Sequence, residues 1–395
     1  MREAGVTVAI GPSDDSFAPA CRSAGLTPAA ESSFVHLPPD QIHRDVAPAQ
    51  AVLQFGTWPG VRSGPNVPGR GIEVATASRE PWVDANSYLV AYLQGLYPKR
   101  PALLGYRPDA AAGLSDGRAA PFESLELALV EAVAAGGNFV LTLPDDYRAA
   151  LLRGDAKALP AWNSLGQTVR FLRDHSDWFS QPSRARVACA AGTLDQSGEI
   201  LRLMFRRNLC PVVLPAASLP PLDPTRFRGL VRANLPPPSG PHLDRLQAFA
   251  RAGGTIVSTE WVPPAAVKTR ADEDRDHYSL GKGRIVAYRA PVADPSEFAL
   301  DVIDLLGVRT RDLRLWNASA VLGLLSGQAK PLIHLINYGA PLDQAFPARV
   351  DGLFRAAQFW EPGVPGPRRL PAARRGSTTE ITVDRLRRFA VITLD

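Results

Sequence analysis

Short apolar runs alternate with helix-like segments over about the first 180 residues. Three stretches, 83–97, 121–137 and 159–179, place apolar residues at helical spacing. The apolar runs have the length of buried strands: VTVAIG (6–11), SSFVHL (32–37), AVLQFG (51–56), GIEVATAS (71–78), PALLGY (101–106) and NFVLTLP (138–144). A βαβα alternation predicts a parallel sheet with helices on its outer faces.

The alternation continues in a second, smaller α/β segment from about residue 181 to residue 307. The predicted elements are strands at 186–192, 211–216, 227–235 and 255–261, and helices at 197–208, 242–254 and 295–307. A charged loop at 271–276 leads into SLGKGRIVAY (279–288), which predicts a hairpin that turns at Gly281 and Gly283. The pattern is typical of a doubly wound domain.

The period changes after residue 308. Strict alternation of apolar and polar residues marks four stretches: 331–339, 348–362, 378–386 and 388–395. Turn residues separate them, and no long helical pattern intervenes. Residues 308–395 are therefore predicted to form a small antiparallel β-sandwich.

Composition narrows the possible partners and the compartment. The chain is 45% hydrophobic and 21% charged, which excludes wholesale disorder. No apolar stretch has the length of a transmembrane helix, and the N-terminal sequence is unlike a secretory signal, so we expect a cytoplasmic protein without a membrane partner. The 44 basic residues are spread along the chain instead of forming a stripe, which argues against nucleic acid.

The residue types that hold metals and cofactors lack the necessary spacing. Cys21, Cys189 and Cys210 form no CxxC pattern, and the six histidines form no HxH or HExxH pattern. No GxGxxG sequence is present. We therefore expect neither a metal nor a cofactor.

In their order, these pieces resemble family-42 β-galactosidases and hypothetical glycosyl hydrolases related to them. In that architecture a (β/α)8 barrel precedes a class I amidotransferase-like trimerisation domain and a β-sandwich. The matching sequences are PFESLELALVEAVAAGGNFVLTL with WNSLGQTVRFLRDHSDWF, RLQAFARAGGTIVSTE with GKGRIVAY, and LIHLINYG with RFAVITLD.

The resemblance implies an α/β chain with three domains. Residues 1–180 would form a partial TIM-type barrel, residues 181–307 a flavodoxin-like, amidotransferase-like domain, and residues 308–395 the sandwich. A whole barrel needs about 250 residues, so about half a barrel is expected, as in a fragment, a late translational start or a degenerate descendant. Counting back from NFVLTL as the eighth strand, PALLGY is the seventh, GIEVATAS the sixth, and AVLQFG or SSFVHL the fifth.

Glycosidic cleavage usually requires two carboxylates, and in a barrel these lie at the carboxyl ends of the strands. The family's acid/base lies on the fourth strand, which we do not find, and its nucleophile glutamate ends the seventh strand, where this chain reads LLGYRPDAAAG. The candidate catalytic residues are therefore Glu80 and Asp145, and the candidate substrate-binding residues are Trp82, Asp84, Tyr106 and Arg107.

Structural roles are open for two of these candidates. Asp84 equally suits the cap of the following helix, and Asp145 with Asp146 suits a solvated turn. Glu123 and Glu126 are explained by the opening turns of their helix.

The amidotransferase-like segment is expected to be structural. A glutaminase needs a cysteine on a strand-to-helix elbow, and GGTIVSTE supplies Ser258, Thr259 and Glu260 there instead.

Two functions remain as hypotheses. The first is a glycoside hydrolase-like protein that binds or cleaves a carbohydrate. The alternative is a non-enzymatic oligomerisation module with a scaffold barrel remnant. Half a barrel would leave a sheet edge near residues 50–78 unpaired, unless the residues before 50 cover it, and the resembling family forms trimers. We therefore expect a homo-oligomer, with a trimer as one form.

Overall fold

The computed structural model describes residues 5–11, 14–42, 46–59, 85–107, 120–143, 145–307 and 312–395. The N-terminal segment, up to residue 180, contains strands and helices in the order β1 (Val8–Gly11), α1 (Phe17–Ser23), β2 (Thr27–Ala30), β3 (Phe34–His36), β4 (Ala51–Phe55), α2 (Ser87–Leu96), β5 (Ala102–Gly105), α3 (Ser124–Ala134), β6 (Asn138–Val140), α4 (Asp145–Leu152), α5 (Ala158–Asp174) and α6 (Ser176–Phe179).

A four-stranded parallel sheet of order β3-β4-β5-β6 forms the centre of the N-terminal segment. Side chains alternate between its two faces. Val52, Leu104 and Tyr106 face the helices and belong to the main hydrophobic core, whereas Phe55 and Leu103 lie on the opposite face. Strands β1 and β2 form a separate parallel pair.

The pairings of β4 with β5 and of β3 with β4 decide two expectations about this sheet. Residues 71–78 were predicted to be the sixth strand beside PALLGY, but Ala51–Phe55 occupies that position, and 71–78 lie outside the described residues. The edge of Ala51–Phe55 that was expected to be open is covered by β3, which is the alternative in which residues before 50 lie across the edge.

The middle segment contains β7 (Val187–Ala191), α7 (Leu194–Arg206), β8 (Val212–Pro215), β9 (Gly229–Arg232), α8 (Gly240–Arg251), β10 (Thr255–Thr259), β11 (Val267–Ala271), β12 (Arg275–Leu280), β13 (Gly283–Tyr288) and α9 (Pro295–Leu306). These strands form one sheet of order β11-β12-β13-β10-β9-β7-β8. Its five strands from β13 to β8 are parallel, and β12 and β11 join them antiparallel. The predicted hairpin between β12 and β13 is present. The predicted loop at 271–276 is the turn of a second hairpin, between β11 and β12, with 272–274 outside the strands and the end residues 271, 275 and 276 within them.

The C-terminal segment contains β14 (Leu313–Leu315), β15 (Val321–Ser326), β16 (Leu332–Asn337), β17 (Phe346–Asp351), β18 (Ala357–Trp360), β19 (Arg368–Leu370), β20 (Ala372–Arg375), β21 (Thr378–Val383) and β22 (Phe389–Leu394). They form two antiparallel sheets, of order β14-β17-β21-β20 and β15-β16-β22-β18-β19. Phe346, Ile381, Phe359 and Ile392 are buried in one core cluster that draws on both sheets, which is the packing of a sandwich.

One hydrophobic core connects the three segments. It contains Val90 from α2, Met204 from α7 and Val391 from β22, all fully buried. Two hydrogen bonds reinforce the connection. The Tyr92 hydroxyl donates to the Gly192 carbonyl at 3.0 Å, and the Arg186 guanidinium donates to the carboxylate of Asp351, in the sandwich, at 2.7 Å. In the described part of the chain, no helix has both the length and the apolar character that crossing a bilayer requires.

Candidate active site at the carboxyl edge of the parallel sheet

The carboxyl ends of β3, β4 and β5 bring His36, Phe55 and Arg107 together on the sheet face that points away from the helices. The Arg107 guanidinium carbon lies 4.1 Å from the centroid of the Phe55 ring, and the His36 ring lies 5.0 Å from it. His36 and Arg107 are exposed, and Phe55 is half-buried. We call these three residues the edge cluster.

The two polar members of the edge cluster influence each other. Partial desolvation, with a contribution from the positive charge of Arg107, lowers the pKa of His36. A mostly neutral imidazole beside a cation and an aromatic face offers both donors and acceptors to a ligand. The cluster has the composition of a binding platform for a polar ring, with an apolar face and charged hydrogen-bond donors at its side.

Trp58 fixes the backbone beneath the edge cluster. Its indole N–H donates to the Arg107 carbonyl at 2.7 Å, and its ring lies 4.9 Å from that of Tyr106. Trp58 is fully buried, so it holds the end of β5 in place instead of meeting a ligand.

Tyr106 was predicted to bind substrate, and the structure contradicts this. It faces the helices with no exposed surface, because position 106 has the same parity as the core residue Leu104. Its hydroxyl donates to the carboxyl group of Glu131. Tyr106 therefore supports the core.

Glu131, on α3, is a buried carboxyl group that the sequence reasoning did not single out. Its Oε1 accepts from the Tyr106 hydroxyl and from Asn86 Nδ2 at 2.8 Å, and its Oε2 accepts from the Asn86 backbone N–H at 2.7 Å and the Tyr338 hydroxyl at 2.8 Å. Burial raises the pKa of Glu131 to about 7, although these four donors act to lower it. With no exposed surface, Glu131 is a structural carboxyl group.

The Glu131 site joins three parts of the chain. Asn86 immediately precedes α2, Tyr106 follows β5, and Tyr338 follows β16 of the sandwich. Asn86 also pairs with the Thr57 backbone, accepting from its N–H at 3.0 Å and donating to its carbonyl at 2.8 Å. A glutamate at an apolar-facing helix position is the only sequence signal that could have indicated this site.

Asp145, the second candidate catalytic residue, lies at the start of α4 and not in the predicted turn. Its carboxylate is 91% exposed and pairs with Arg148 one turn later. Two exposed side chains in such a pair are weakly coupled and easily separated, so Asp145 is accessible to a ligand. Glu80, Trp82 and Asp84 lie outside the described residues.

No group of three His, Cys, Asp or Glu side chains in the described ranges has the geometry to hold a metal ion. Cys189 is buried, and burial raises the pKa of its thiol to about 12.

Comparison with known proteins gives structural similarity without sequence similarity. No family model matches the chain, and no curated protein sequence matches it. α-L-Fucosidase isoenzyme 2 from Paenibacillus thiaminolyticus is similar with a TM-score of 0.54 and 12% identity, over 94% of this chain and 68% of that protein.

Two β-galactosidases are also similar. A family-42 enzyme from G. stearothermophilus gives a TM-score of 0.53 at 11% identity, over 87% of this chain, and an enzyme from Bacillus circulans sp. alkalophilus gives 0.53 at 11%, over 88%. This chain spans only 59% and 60% of their respective lengths. The mixed α/β architecture, with its parallel sheet and its antiparallel sandwich, therefore has a glycoside hydrolase-like fold.

Proposed function

We propose that this protein is a carbohydrate-binding, glycoside hydrolase-like protein whose ligand lies across the edge cluster. The observation that carries the proposal is the meeting of Phe55, Arg107 and His36 at the carboxyl edge of a parallel sheet. In barrel enzymes this edge carries the active site. The apolar face of a sugar packs against an aromatic ring, while its hydroxyls accept from a guanidinium group.

The domain assignment belongs to the same proposal. The parallel strands β8-β7-β9-β10-β13 have the chain order 2-1-3-4-5, which supports a flavodoxin-like, amidotransferase-like unit at 181–307. The sheet β3-β4-β5-β6 supports a partial TIM-type barrel at 1–180, and the two antiparallel sheets support a sandwich at 308–395.

Binding is tested with galactose and fucose, the sugars named in the similar proteins, and with oligosaccharides that contain them. Arg107→Ala and Phe55→Ala should weaken binding at least about tenfold, which corresponds to about 1.4 kcal/mol. Arg153→Ala, the same change at an exposed arginine of α4's C-terminal turn, should leave it unchanged. Equal affinities in all variants would place the ligand elsewhere.

Catalysis by Glu80 and Asp145 is the finer proposal. Hydrolysis of nitrophenyl galactosides and fucosides is measured for the wild type, Glu80→Gln and Asp145→Asn, with the exposed neighbour Asp146→Asn as the control. Loss of turnover in both Glu80→Gln and Asp145→Asn, but not in Asp146→Asn, would support an acid/base pair. Binding without turnover in the wild type would support a binding protein that does not cleave.

The alternative, an assembly module, is favoured by one observation. β3 pairs only with β4, so its outer edge is unpaired within the described ranges, and an unpaired edge can add a strand from another chain. Light scattering distinguishes the two functions: a mass near 42.5 kDa contradicts assembly, and about three times that mass supports a trimer.

A further inference from the structure

A cavity of about 420 Å³ lies where the three segments meet, and no residue of the edge cluster lines it. Its walls come from α2, from the 178–187 stretch that links α6 to β7, from the end of α7, and from β15 and β16. This volume is within the range of small-molecule sites. Ser180 to Ser183, which are exposed, form its rim.

Most of the wall is apolar. Phe179, Phe205, Leu209 and Leu324 line it and are buried. An apolar lining binds water weakly and therefore favours a ligand that also has an apolar surface.

Two buried side chains in the cavity wall each have one polar atom without a hydrogen-bond partner among the described residues. His334 is 1% exposed; its Nε2 lies 2.9 Å from the Ser326 hydroxyl, and its Nδ1 has no partner among the described residues. Asp312 is 8% exposed; its Oδ1 accepts from Arg186 at 2.8 Å, and within the described ranges nothing pairs with its Oδ2. Buried polar atoms are nearly always hydrogen-bonded, so each calls for a partner.

The arginines at the cavity are already occupied. Arg186 is shared between Asp312 and Asp351, and Arg226 donates to the backbone carbonyls of Ser183, at 2.7 Å, and Ala185. An anionic ligand would have to displace these contacts. Burial also lowers the pKa of His334 to about 4, so that its imidazole is neutral at neutral pH.

A hydroxyl group matches the two unused atoms. One hydroxyl of a ligand can donate to Asp312 Oδ2, which only accepts, and another can donate to or accept from His334 Nδ1, according to the tautomer that the Ser326 contact selects. We propose that this cavity binds a neutral molecule with several hydroxyl groups and an apolar face, about the size of one or two sugar rings, and that this ligand joins the three segments.

The probes are glucose, galactose, fucose and glycerol, observed by saturation-transfer NMR and by the thermal stability of the protein. Ala91→Phe fills the cavity from α2, and Asp312→Asn changes the acceptor. The matched controls are Ala20→Phe and Asp244→Asn, at exposed positions of α1 and α8. We expect at least one probe to bind and to raise the melting temperature, and both cavity variants to weaken it about tenfold or more while the controls do not.

A third readout does not depend on variants. Cys210 lines the cavity and is half-buried, whereas Cys21 and Cys189 are buried in the core. A bound probe should therefore slow alkylation of Cys210.

Two results would overturn the inference: no probe binds at millimolar concentration, or Ala91→Phe binds as well as the wild type. Arg107→Ala separates this inference from the proposed function. If binding survives Arg107→Ala and is lost in Ala91→Phe, the cavity holds the ligand; the reverse result places the ligand at the edge cluster and contradicts the cavity site.

Discussion

At the scale of single residues, Glu131 shows how a buried carboxyl group is tolerated. Its two oxygens accept four hydrogen bonds, which is the full capacity of a carboxylate. Burial nevertheless raises its pKa to about 7. The native protein therefore holds the proton of Glu131 at pH values where the unfolded chain has released it, and in this protonated form the carboxyl group donates to one of the two tyrosine hydroxyls, which then accepts.

This difference in pKa predicts a pH-dependent stability. The contribution of Glu131 is fully present below about pH 4.5, the ordinary pKa, and is lost as the pH rises through about 7, because the native state binds the proton more tightly than the unfolded state. The upper limit is about 3 kcal/mol. Urea unfolding at pH 5 and pH 8 measures it.

Glu131→Gln removes the titration and should flatten this part of the profile. At pH 8, where the ionised Glu131 accepts from all four donors, the substitution should also cost about 1–3 kcal/mol, because the amide NH2 meets donors where an oxygen accepted them. Glu123→Gln, at an exposed position just before α3, should keep the wild-type profile. An unchanged profile in Glu131→Gln would assign the pH dependence to another group.

At the scale of elements, hydrogen bonds at the ends decide where α9 begins. Asp294 is its N-cap, and the side chain accepts from the backbone N–H of Ser296 at 2.8 Å and of Glu297 at 3.2 Å. Pro295 occupies the first turn, where it needs no donor.

Asp294→Ala should destabilise the protein by about 1 kcal/mol, because two backbone donors lose their acceptor. Asp304→Ala, near the C-terminal end of the same helix, should be neutral or slightly stabilising, since it removes a negative charge from the negative end of the helix dipole. Thermal unfolding of both variants measures the difference. Equal losses in the two would contradict a capping role.

Glu126 shows that the position of a residue in a helix does not by itself predict its burial or its contacts. The opening turn of α3 explained this residue from sequence, yet it is buried. Its carboxylate accepts from the hydroxyls of Thr168 at 2.7 Å and Ser164 at 3.0 Å, and it lies 3.6 Å from Arg388. It thereby ties α3 to α5 and to the sandwich.

At the scale of the whole molecule, the shared core predicts cooperative unfolding. The main cluster includes residues of all three segments, and the Glu131–Tyr338 hydrogen bond and the Arg186–Asp312 ion pair cross their boundaries. Separation of the segments would expose Phe389 and Val391, which are buried against the N-terminal segment's core.

We therefore expect one calorimetric transition, with the calorimetric enthalpy equal to the van't Hoff enthalpy. Tryptophan fluorescence and far-ultraviolet circular dichroism should give coincident urea curves. Two resolved transitions, or non-coincident curves, would show that the segments unfold independently.

The sequence by itself determined the class of each segment. The periods of its apolar positions predicted α2, α3 and α5, the β12–β13 hairpin and the strands β16, β21 and β22, because period reports which faces an element buries. The stretch 348–362, predicted as one strand, is two strands, β17 and β18, in different sheets. It also placed Arg107 after a buried strand, and the structure places Arg107 at that strand's carboxyl edge.

Only the tertiary structure decided which elements are neighbours. The pairing of β4 with β5, the burial of Tyr106 and the placing of Asn86 and Tyr338 around Glu131 join residues far apart in the chain. Local propensity carries no information about such contacts, since they depend on which surfaces remain after the elements pack. The edge cluster and the central cavity arise in the same way, from strands and helices that meet only in the folded chain.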